Sequence, residues 1–232
     1  MKVVAVLTVA ALFATGCQKK EAPAPAPSAS GAAAVGADQI LERARHALNS
    51  AKSFHLAIDN TDTDGHQMVI DFKVAGEDLR GWCEIEQARV EMLAVGGIKY
   101  VKPNEAWWTT VVADDPVRGR KAVATAGDRW VRATDENVDV TGIFFMADLS
   151  EVLKPNTAVT LGPPTEVDGV PAITLTDGSQ TFYVAATGEP YPIAIGENGA
   201  INVRLTEFGA AFPEISQPAP SDIVDYSAVI PT

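Results

Sequence analysis

Apolar and polar positions repeat with two different periods along the chain, and the first stretch has the helical one. Between Ile40 and Ala51, apolar residues recur at intervals of three and four positions, with charged residues on the other side. This spacing predicts an amphipathic helix that begins with Asp38 as its N-cap and ends near Lys52. Its apolar stripe must pack against another element.

The next stretch alternates with a period of two. Residues 54–58 and 68–74 each place their apolar side chains on one face, with a turn at 63–65, which predicts a β-hairpin. The same pattern predicts further short strands at 79–85, 89–95, 98–101, 159–161, 170–175, 180–186, 191–195 and 200–208. Because strands do not alternate regularly with long helices, the predicted class is α+β with a mostly antiparallel sheet.

The middle of the chain is less regular. Residues 115–134 combine basic side chains with an alanine-rich run, and part of this stretch is predicted to be helical. Residues 144–153 have a spacing nearer to helical than alternating and end before Pro155, so a second short helix is predicted there.

The first sixteen residues have the features of a signal peptide. Lys2 precedes an apolar run from Val3 to Ala14, which as a helix would span about 18 Å against a hydrocarbon core of about 30 Å. The run is therefore too short for a stable transmembrane anchor. The small residues of 14–16 before Cys17 resemble a bacterial lipobox, which predicts acylation of Cys17. An ordinary secretory signal followed by a chance cysteine is the alternative.

The residues after Cys17 have the composition of a tether. Residues 17–37 are rich in alanine and proline and are predicted to form no core. A single domain is predicted over 38–232. Two or more acyl chains on Cys17 would hold this domain on the extracytoplasmic face of the cell membrane.

Charge and cysteine content exclude several classes of protein. The formal net charge is −12, and such a field repels nucleic acid, which is therefore not expected as a partner. The chain has two cysteines, with one in the predicted domain, which excludes a disulfide framework and a structural zinc site with four ligands. Neither a metal ion nor a cofactor is predicted.

Motifs with known catalytic chemistry are missing from the sequence, so no catalytic residue is assigned and the protein is expected not to be an enzyme. A hydrolase with unpaired carboxylates is the less favoured alternative. Residues 60–65 resemble the start of a calcium-binding loop, but strand-like flanks favour a polar hairpin turn. His46, His55 and His66 could be metal ligands or general bases, but His46 is on the polar side of the predicted helix and His66 is in a turn.

The order of several short segments resembles the actinobacterial LppX/LprAFG lipoproteins, which are relatives of the LolA-type lipoprotein carriers. The resemblance covers about 37–227 and rests on residues 50–55 (SAKSFH), 97–101 (GIKYV), 107–108 (WW), 167–171 (VDGVP), 187–192 (TGEPYP) and 205–209 (LTEFG). It implies a curved antiparallel half-barrel with helices on its concave face, and a cavity between them that holds acyl chains. It also implies lipid binding or lipid transport in the cell envelope, without catalysis.

Large side chains on the inferred inner pattern are the candidate lipid contacts. The predicted cavity lining is Phe72, Val74, Trp107, Phe144, Phe145, Leu149 and Leu153. Trp107 and Trp108 are adjacent, so in a strand they would point to opposite faces. Cys83 is expected to be a small core residue, with a reactive thiol as the alternative.

Basic residues concentrate in one stretch of this acidic chain. Arg118, Arg120 and Lys121, followed by Arg129 and Arg132, could bind a phosphorylated or acidic headgroup. An ion-paired, solvated loop is the equal alternative. The predicted function is therefore a membrane-anchored lipoprotein that binds a lipid or glycolipid and carries or presents it. The alternative is a non-catalytic protein-interaction or sensor module of the envelope, with another envelope protein as partner.

Overall fold

The computed structural model describes residues 35–61, 64–109, 115–147, 153–197 and 199–230. The predicted signal peptide (1–16), the predicted acylation site Cys17 and most of the predicted tether lie outside the described residues, and so does Leu149. The boundaries predicted for these segments stay predictions.

The first helix, α1 (Ala37–Ala51), forms where the apolar stripe predicts it. Leu41, Ala44 and Leu48 are buried, and the helix ends at Lys52 in a left-handed conformation. The predicted N-cap is wrong, because the helix begins after Gly36 and Asp38 lies within the first turn. A carboxylate in the first turn still interacts favourably with the helix dipole.

Thirteen strands form one open sheet in the described residues. They are β1 (Ser53–Thr61), β2 (Gln67–Ala75), β3 (Asp78–Ile85), β4 (Ala88–Val95), β5 (Ile98–Pro103), β6 (Trp130–Ala133), β7 (Thr160–Leu161), β8 (Thr165–Val167), β9 (Val170–Thr176), β10 (Gln180–Ala185), β11 (Pro192–Glu197), β12 (Ala200–Thr206) and β13 (Ile223–Asp225). Their order is β13-β6-β5-β4-β3-β2-β1-β12-β11-β10-β9-β7, and β8 also pairs with β9.

Two antiparallel meanders make up most of the sheet. Strands β1 to β5 form the first and β9 to β12 the second, and the antiparallel pairing of β1 with β12 joins them. A tight turn between β4 and β5 uses Gly96 and Gly97, both with positive φ, as their sequence predicts. The predicted α+β class with a mostly antiparallel sheet is confirmed. Sequence reasoning missed β6, β8 and β13, and the pair of β13 with β6 is parallel.

The remaining helices are short. They are α2 (Glu105–Trp107), α3 (Pro116–Ala126), α4 (Val138–Thr141) and α5 (Tyr226–Val229), with 3₁₀ segments at Gly142–Ala147 and Pro220–Asp222. The helix predicted within 115–134 is confirmed as α3. Of the helix predicted over 144–153, residues 144–147 form a 3₁₀ segment directly after α4, and residues 148–152 lie outside the described residues.

One face of the sheet, here called the inner face, carries the main core. Buried side chains of α1, α3, α4 and α5 pack there against alternate strand residues such as Leu56, Phe72 and Val90. The helices with buried side chains therefore cover the same face, and residues one position away along each strand point to the opposite, outer face.

The two adjacent tryptophans are both in this core, which corrects the predicted split across a strand. Trp107 ends α2 and Trp108 follows it in helical conformation, and they are 3% and 1% exposed. Helix α3 approaches this segment closely at Gly119. A Cβ on that glycine would lie 2.6 Å from the Trp108 carbonyl oxygen, so only glycine permits the contact.

The outer face of the first meander is covered by residues 207–222, here called the belt. After β12 the belt crosses β1, where Ser53 Oγ donates to the Ala210 carbonyl at 2.7 Å. Further along, Gln217 Nε2 donates to the hydroxyl of Tyr100 on β5 at 3.3 Å. The belt then delivers β13 to the edge strand β6, which explains the parallel pair.

Candidate functional site

The first candidate site opens at the end of the inner face, where the turn between β2 and β3 meets the 3₁₀ segment. We call it the chain groove, and its volume is about 550 Å³. It is lined by Val74, Gly76–Leu79, Ala94, Lys99, Asp135, Thr141, Gly142, Phe144, Phe145 and Ala147.

The deep wall of the chain groove is apolar. Val74, Leu79, Ala94 and Phe144 are all buried parts of the core. Phe145 lies at the rim with 70% of its surface exposed. Phe145 therefore adds exposed apolar surface at the mouth of the groove.

Local hydrogen bonds position the 3₁₀ segment over the groove. Asn137 Oδ1 accepts from the backbone N–H of Thr134, and the Asn137 carbonyl accepts from the N–H groups of Val140 and Thr141, which starts α4. In the 3₁₀ segment that follows, residues three apart are eclipsed, so Phe144 and Ala147 lie on the same side and both line the groove.

A second cavity, the polar cavity, adjoins the chain groove. Its volume is about 580 Å³. It is lined by Gly97–Lys99, Arg132–Asn137 and Asp225–Ser227. Arg132 Nε and Nη2 each lie 2.7 Å from Asp225 Oδ1, which fastens β6 to β13 across their parallel register.

Lys99 and Asp135 line both cavities. The position of Lys99 on β5 is in phase with the buried Val101, so its side chain starts from the inner face. Its ammonium lies 2.6 Å from Asp135 Oδ1 and 5.6 Å from the centroid of the Phe144 ring. The two cavities therefore meet at a cation that touches an aromatic ring on one side and a carboxylate on the other.

The predicted cavity-lining residues divide into three groups. Val74, Phe144 and Phe145 line the chain groove. Phe72, Trp107 and Leu153 are buried in the main core, where they contact other side chains. Leu149 lies outside the described residues. The indole N–H of Trp107 has no hydrogen-bond acceptor among the described residues.

The predicted basic cluster is not brought together at either cavity. Arg118, Arg120 and Lys121 are exposed on α3, and they are not part of the lining of the chain groove or the polar cavity. Arg129 donates to carbonyl groups at the end of α3 instead, and Arg132 lines the polar cavity.

Sequence reasoning missed Lys99 and Asp135. A signal for Lys99 was present, because a lysine at an inner-face position of a strand has to reach a partner or solvent. No local signal pointed to Asp135, because the connection after β6 sets its position.

Cys83 is a core residue, as predicted, and His46 and His55 lie apart, on α1 and on the outer face of β1. Cys83 is buried on the inner face, and burial raises the pKa of its thiol to about 11. His55 Nε2 lies 3.1 Å from Asp71 Oδ2 on the outer face, whereas His46 is exposed on α1. The calcium-like loop includes residues 62 and 63, which lie outside the described residues.

None of the helices in the described residues is both long enough and apolar enough to cross a bilayer. Over the same residues, His, Cys, Asp and Glu side chains form no group of three or more that could hold a metal ion.

A smaller cleft of about 330 Å³ lies beside the second meander. Tyr191 and Phe208 line it and stack with ring centroids 4.1 Å apart. Val170 also lines the cleft and is 40% exposed. Two further lining residues, Arg204 and Asp168, form an ion pair with an Nε–Oδ2 distance of 3.0 Å. This cleft is separate in its lining from both cavities at the Lys99 end.

Several solved structures are similar to this chain. Lipoprotein LppX of Mycobacterium tuberculosis is 14% identical, with a TM-score of 0.42 over 72% of this chain and 90% of that chain. An uncharacterized conserved protein from Thermus thermophilus is 10% identical, with a TM-score of 0.38 over 82% of this chain and 98% of that chain. MucB is 15% identical, with a TM-score of 0.37 over 79% of this chain and 63% of that chain.

No protein-family profile matches the sequence, and no curated protein matches it significantly. The sequence resembles a family that is named partly after LppX, and LppX is among the similar solved structures.

Proposed function

We propose that this protein is a lipid-anchored envelope lipoprotein that binds an acyl chain of a lipid in the chain groove and carries or presents that lipid. The observation that carries the proposal is the pairing of two surfaces at one opening. An apolar wall with an exposed Phe145 at its rim adjoins a cavity lined by charged and hydroxyl side chains. An amphiphilic lipid needs an apolar surface for its chain and a polar one for its headgroup.

The size and chemistry of the groove support this ligand class. Pockets for small molecules have volumes of about 300–1,000 Å³ and combine mostly apolar walls with a few polar groups. The chain groove, at about 550 Å³, is within that range. Covering Phe145 with an acyl chain would remove apolar surface from water, which is the main source of affinity for such a ligand.

The N-terminal residues supply the location in this proposal. Acyl chains on Cys17 anchor the protein to the extracytoplasmic face of the cell membrane, because a single chain binds membranes only marginally and two or more bind stably. The alanine- and proline-rich residues 18–34 then separate the anchor from the domain. A groove on a tethered domain can exchange lipid with the membrane that anchors it.

The proposed role is non-catalytic. One polar group of the groove has a structural contact: Asp78 Oδ1 accepts from the Gly96 N–H at 2.9 Å. This contact positions the turn between β4 and β5 at the rim.

Native mass spectrometry of the mature domain purified from bacterial envelopes tests the proposal. The expected result is a population whose excess mass matches one lipid and is released by organic extraction. A parallel sample with Phe145→Ala should retain less lipid at unchanged thermal stability, because the ring is exposed. A domain that is empty after purification and that binds no added lipid would contradict lipid binding.

The alternative function is a non-catalytic protein-interaction or sensor module of the envelope. The apolar cleft at Tyr191 and Phe208 favours it, because aromatic side chains in a partly exposed cleft are typical of protein interfaces. A domain empty of lipid that binds an apolar segment of another envelope protein, with the binding lost in Phe208→Ala, would support this function instead.

A further inference from the structure

The contact between the two cavities suggests what kind of headgroup the site accepts, an inference that rests on the proposed function. An acyl chain in the chain groove ends beside Lys99, because Lys99 lines both the groove and the polar cavity. The headgroup attached to that chain would then enter the polar cavity. The charges of that cavity determine which headgroups are compatible.

Both cations of the polar cavity are already paired. Lys99 pairs with Asp135, and Arg132 pairs with Asp225. The carboxylates of these pairs are well exposed, with 86% of the Asp135 side chain and 55% of the Asp225 side chain open to solvent. Ion pairs this exposed contribute little to stability, so exchange of either partner for a ligand group costs little.

The balance of charge argues against a purely anionic headgroup. The lining includes two cations, Lys99 and Arg132, and three carboxylates, Asp135, Glu136 and Asp225. A phosphate that displaced Asp135 from Lys99 would bring further negative charge beside Asp135, which would then lack its counterion. Like charges within this distance repel one another.

A headgroup with charges of both signs avoids this cost. Its anionic group can bind Lys99 while its ammonium group binds the released Asp135 carboxylate, so that every charge keeps a partner. The exchange replaces one exposed ion pair by two ion pairs with the ligand, and both of these are charge-assisted hydrogen bonds.

We infer that the polar cavity is a headgroup subsite for a zwitterionic amphiphile that has a phosphate and a primary ammonium group, as in a phosphoethanolamine head. Lys99 binds the phosphate and Asp135 binds the ammonium. Phe144 supports Lys99, because the ring face that lies 5.6 Å from the ammonium stabilises the cation at the boundary with the chain groove.

Calorimetric binding of short-chain lipids below their micelle concentration tests the inference. The probes are dihexanoyl phosphatidylethanolamine, dihexanoyl phosphatidylglycerol and a neutral monoacylglycerol, with free phosphoethanolamine as the headgroup without a chain. We expect phosphatidylethanolamine to bind about fivefold or more tightly than phosphatidylglycerol. Free phosphoethanolamine should bind much more weakly than the lipid, because it lacks the chain.

Two variants separate the roles of the paired residues. Lys99→Met keeps the apolar stem but removes the charge, so it should weaken phosphatidylethanolamine binding about fivefold and weaken monoacylglycerol binding much less. Asp135→Asn should weaken the binding of phosphatidylethanolamine and strengthen the binding of phosphatidylglycerol. Lys102→Met is the matched control, since Lys102 is on the same strand, pairs with Asp128 and lies outside both linings.

The outcomes distinguish the inference from the proposed function. Preference of the unaltered protein for phosphatidylglycerol, or an equal effect of Lys99→Met on all lipids, overturns the headgroup assignment while chain binding stands. Free phosphoethanolamine that binds as tightly as the lipid also overturns it, in favour of a soluble ligand. Failure of every lipid to bind, the monoacylglycerol included, refutes the proposed function as well.

Discussion

The ammonium of Lys73 lies 2.6 Å from Oε1 of Glu214, a residue 141 positions further along the chain. The hydrogen bond raises the pKa of Lys73 and lowers that of Glu214. Arg80 donates to the Glu214 carbonyl at 3.0 Å, and Lys73 also lies over the ring of Phe212 at 5.4 Å. The belt is therefore held to β2 and β3 by both polar and apolar contacts.

These contacts predict unequal effects of two belt substitutions. Phe212→Ala should lower the free energy of unfolding by about 3 kcal/mol, because it removes a buried aromatic ring. Glu214→Gln, which removes the charge but keeps the shape, should have a small effect because the pair is exposed to solvent. Urea unfolding of both variants measures the difference. No loss for Phe212→Ala would mean that the belt does not stabilise the sheet, and equal losses would mean that the Glu214 charge contributes as much as the ring.

The docking of α1 predicts a large effect at Leu48. Leu48 is 5% exposed and faces the core, so Leu48→Asp should destabilise the domain by about 3 kcal/mol or more, since it buries an unpaired charge. Asn49→Asp adds the same charge on the exposed side of the helix and is the control. Equal melting temperatures of the two variants would show that α1 is not docked.

The groove predicts that added volume at Ala147 displaces ligand before it damages the fold. Ala147 lines the chain groove and is only partly buried, so the indole of Ala147→Trp can occupy the groove. Lipid retention should be lost, with a melting temperature close to that of the unaltered protein. In a filled core the same change would cost about 1–3 kcal/mol.

The control for that experiment is Ala124→Trp, on an exposed position of α3. It should leave both bound lipid and melting temperature unchanged. A large drop in melting temperature for Ala147→Trp with lipid still bound would contradict the groove as the binding site.

The anchor assignment predicts the behaviour of Cys17→Ser. Without the sulfur no acyl chain can be attached, so the protein should leave the membrane fraction while its thermal stability is unchanged. Fractionation after a salt wash, followed by a blot, makes the measurement. Retention of the variant in the washed membranes would refute anchoring through this residue.

The buried thiol predicts a pH dependence. The folded-state pKa of Cys83, about 11, is above its ordinary value of 9.0. The thiol therefore favours the folded state below pH 9, and this contribution is lost as the pH rises through about 11. In the Cys17→Ser variant, Cys83 should react with a disulfide reagent at pH 8 only after denaturant is added. Fast labelling of the folded protein would contradict this.

Local pattern was sufficient for most of the sheet. Long runs with a period of two, such as those of β2 and β4, specify both a strand and the face that it buries, because successive side chains point in opposite directions. Elements of a few residues, such as β6 and β13, were missed because their strand conformation depends on the partner that the belt brings beside them.

Some residues of the candidate site could be predicted from local pattern, and others could not. Sequence reasoning placed Val74 and Phe144 at an inner surface, because large apolar residues in phase with a strand or a short helix are expected to be buried there. The 3₁₀ turn of the latter segment leaves Phe145 exposed, since its side chain points about a third of a turn away from that of Phe144.

The amino-acid sequence by itself determined the antiparallel class, the inner and outer faces of the long strands and the apolar stripe of α1, because these follow from periodicities within a few neighbouring residues. Only the tertiary structure decided that the belt covers the outer face of the first meander and that Lys99 meets Asp135 between two cavities. Those pairings join residues 36 or more positions apart, and their energies depend on how the intervening elements pack.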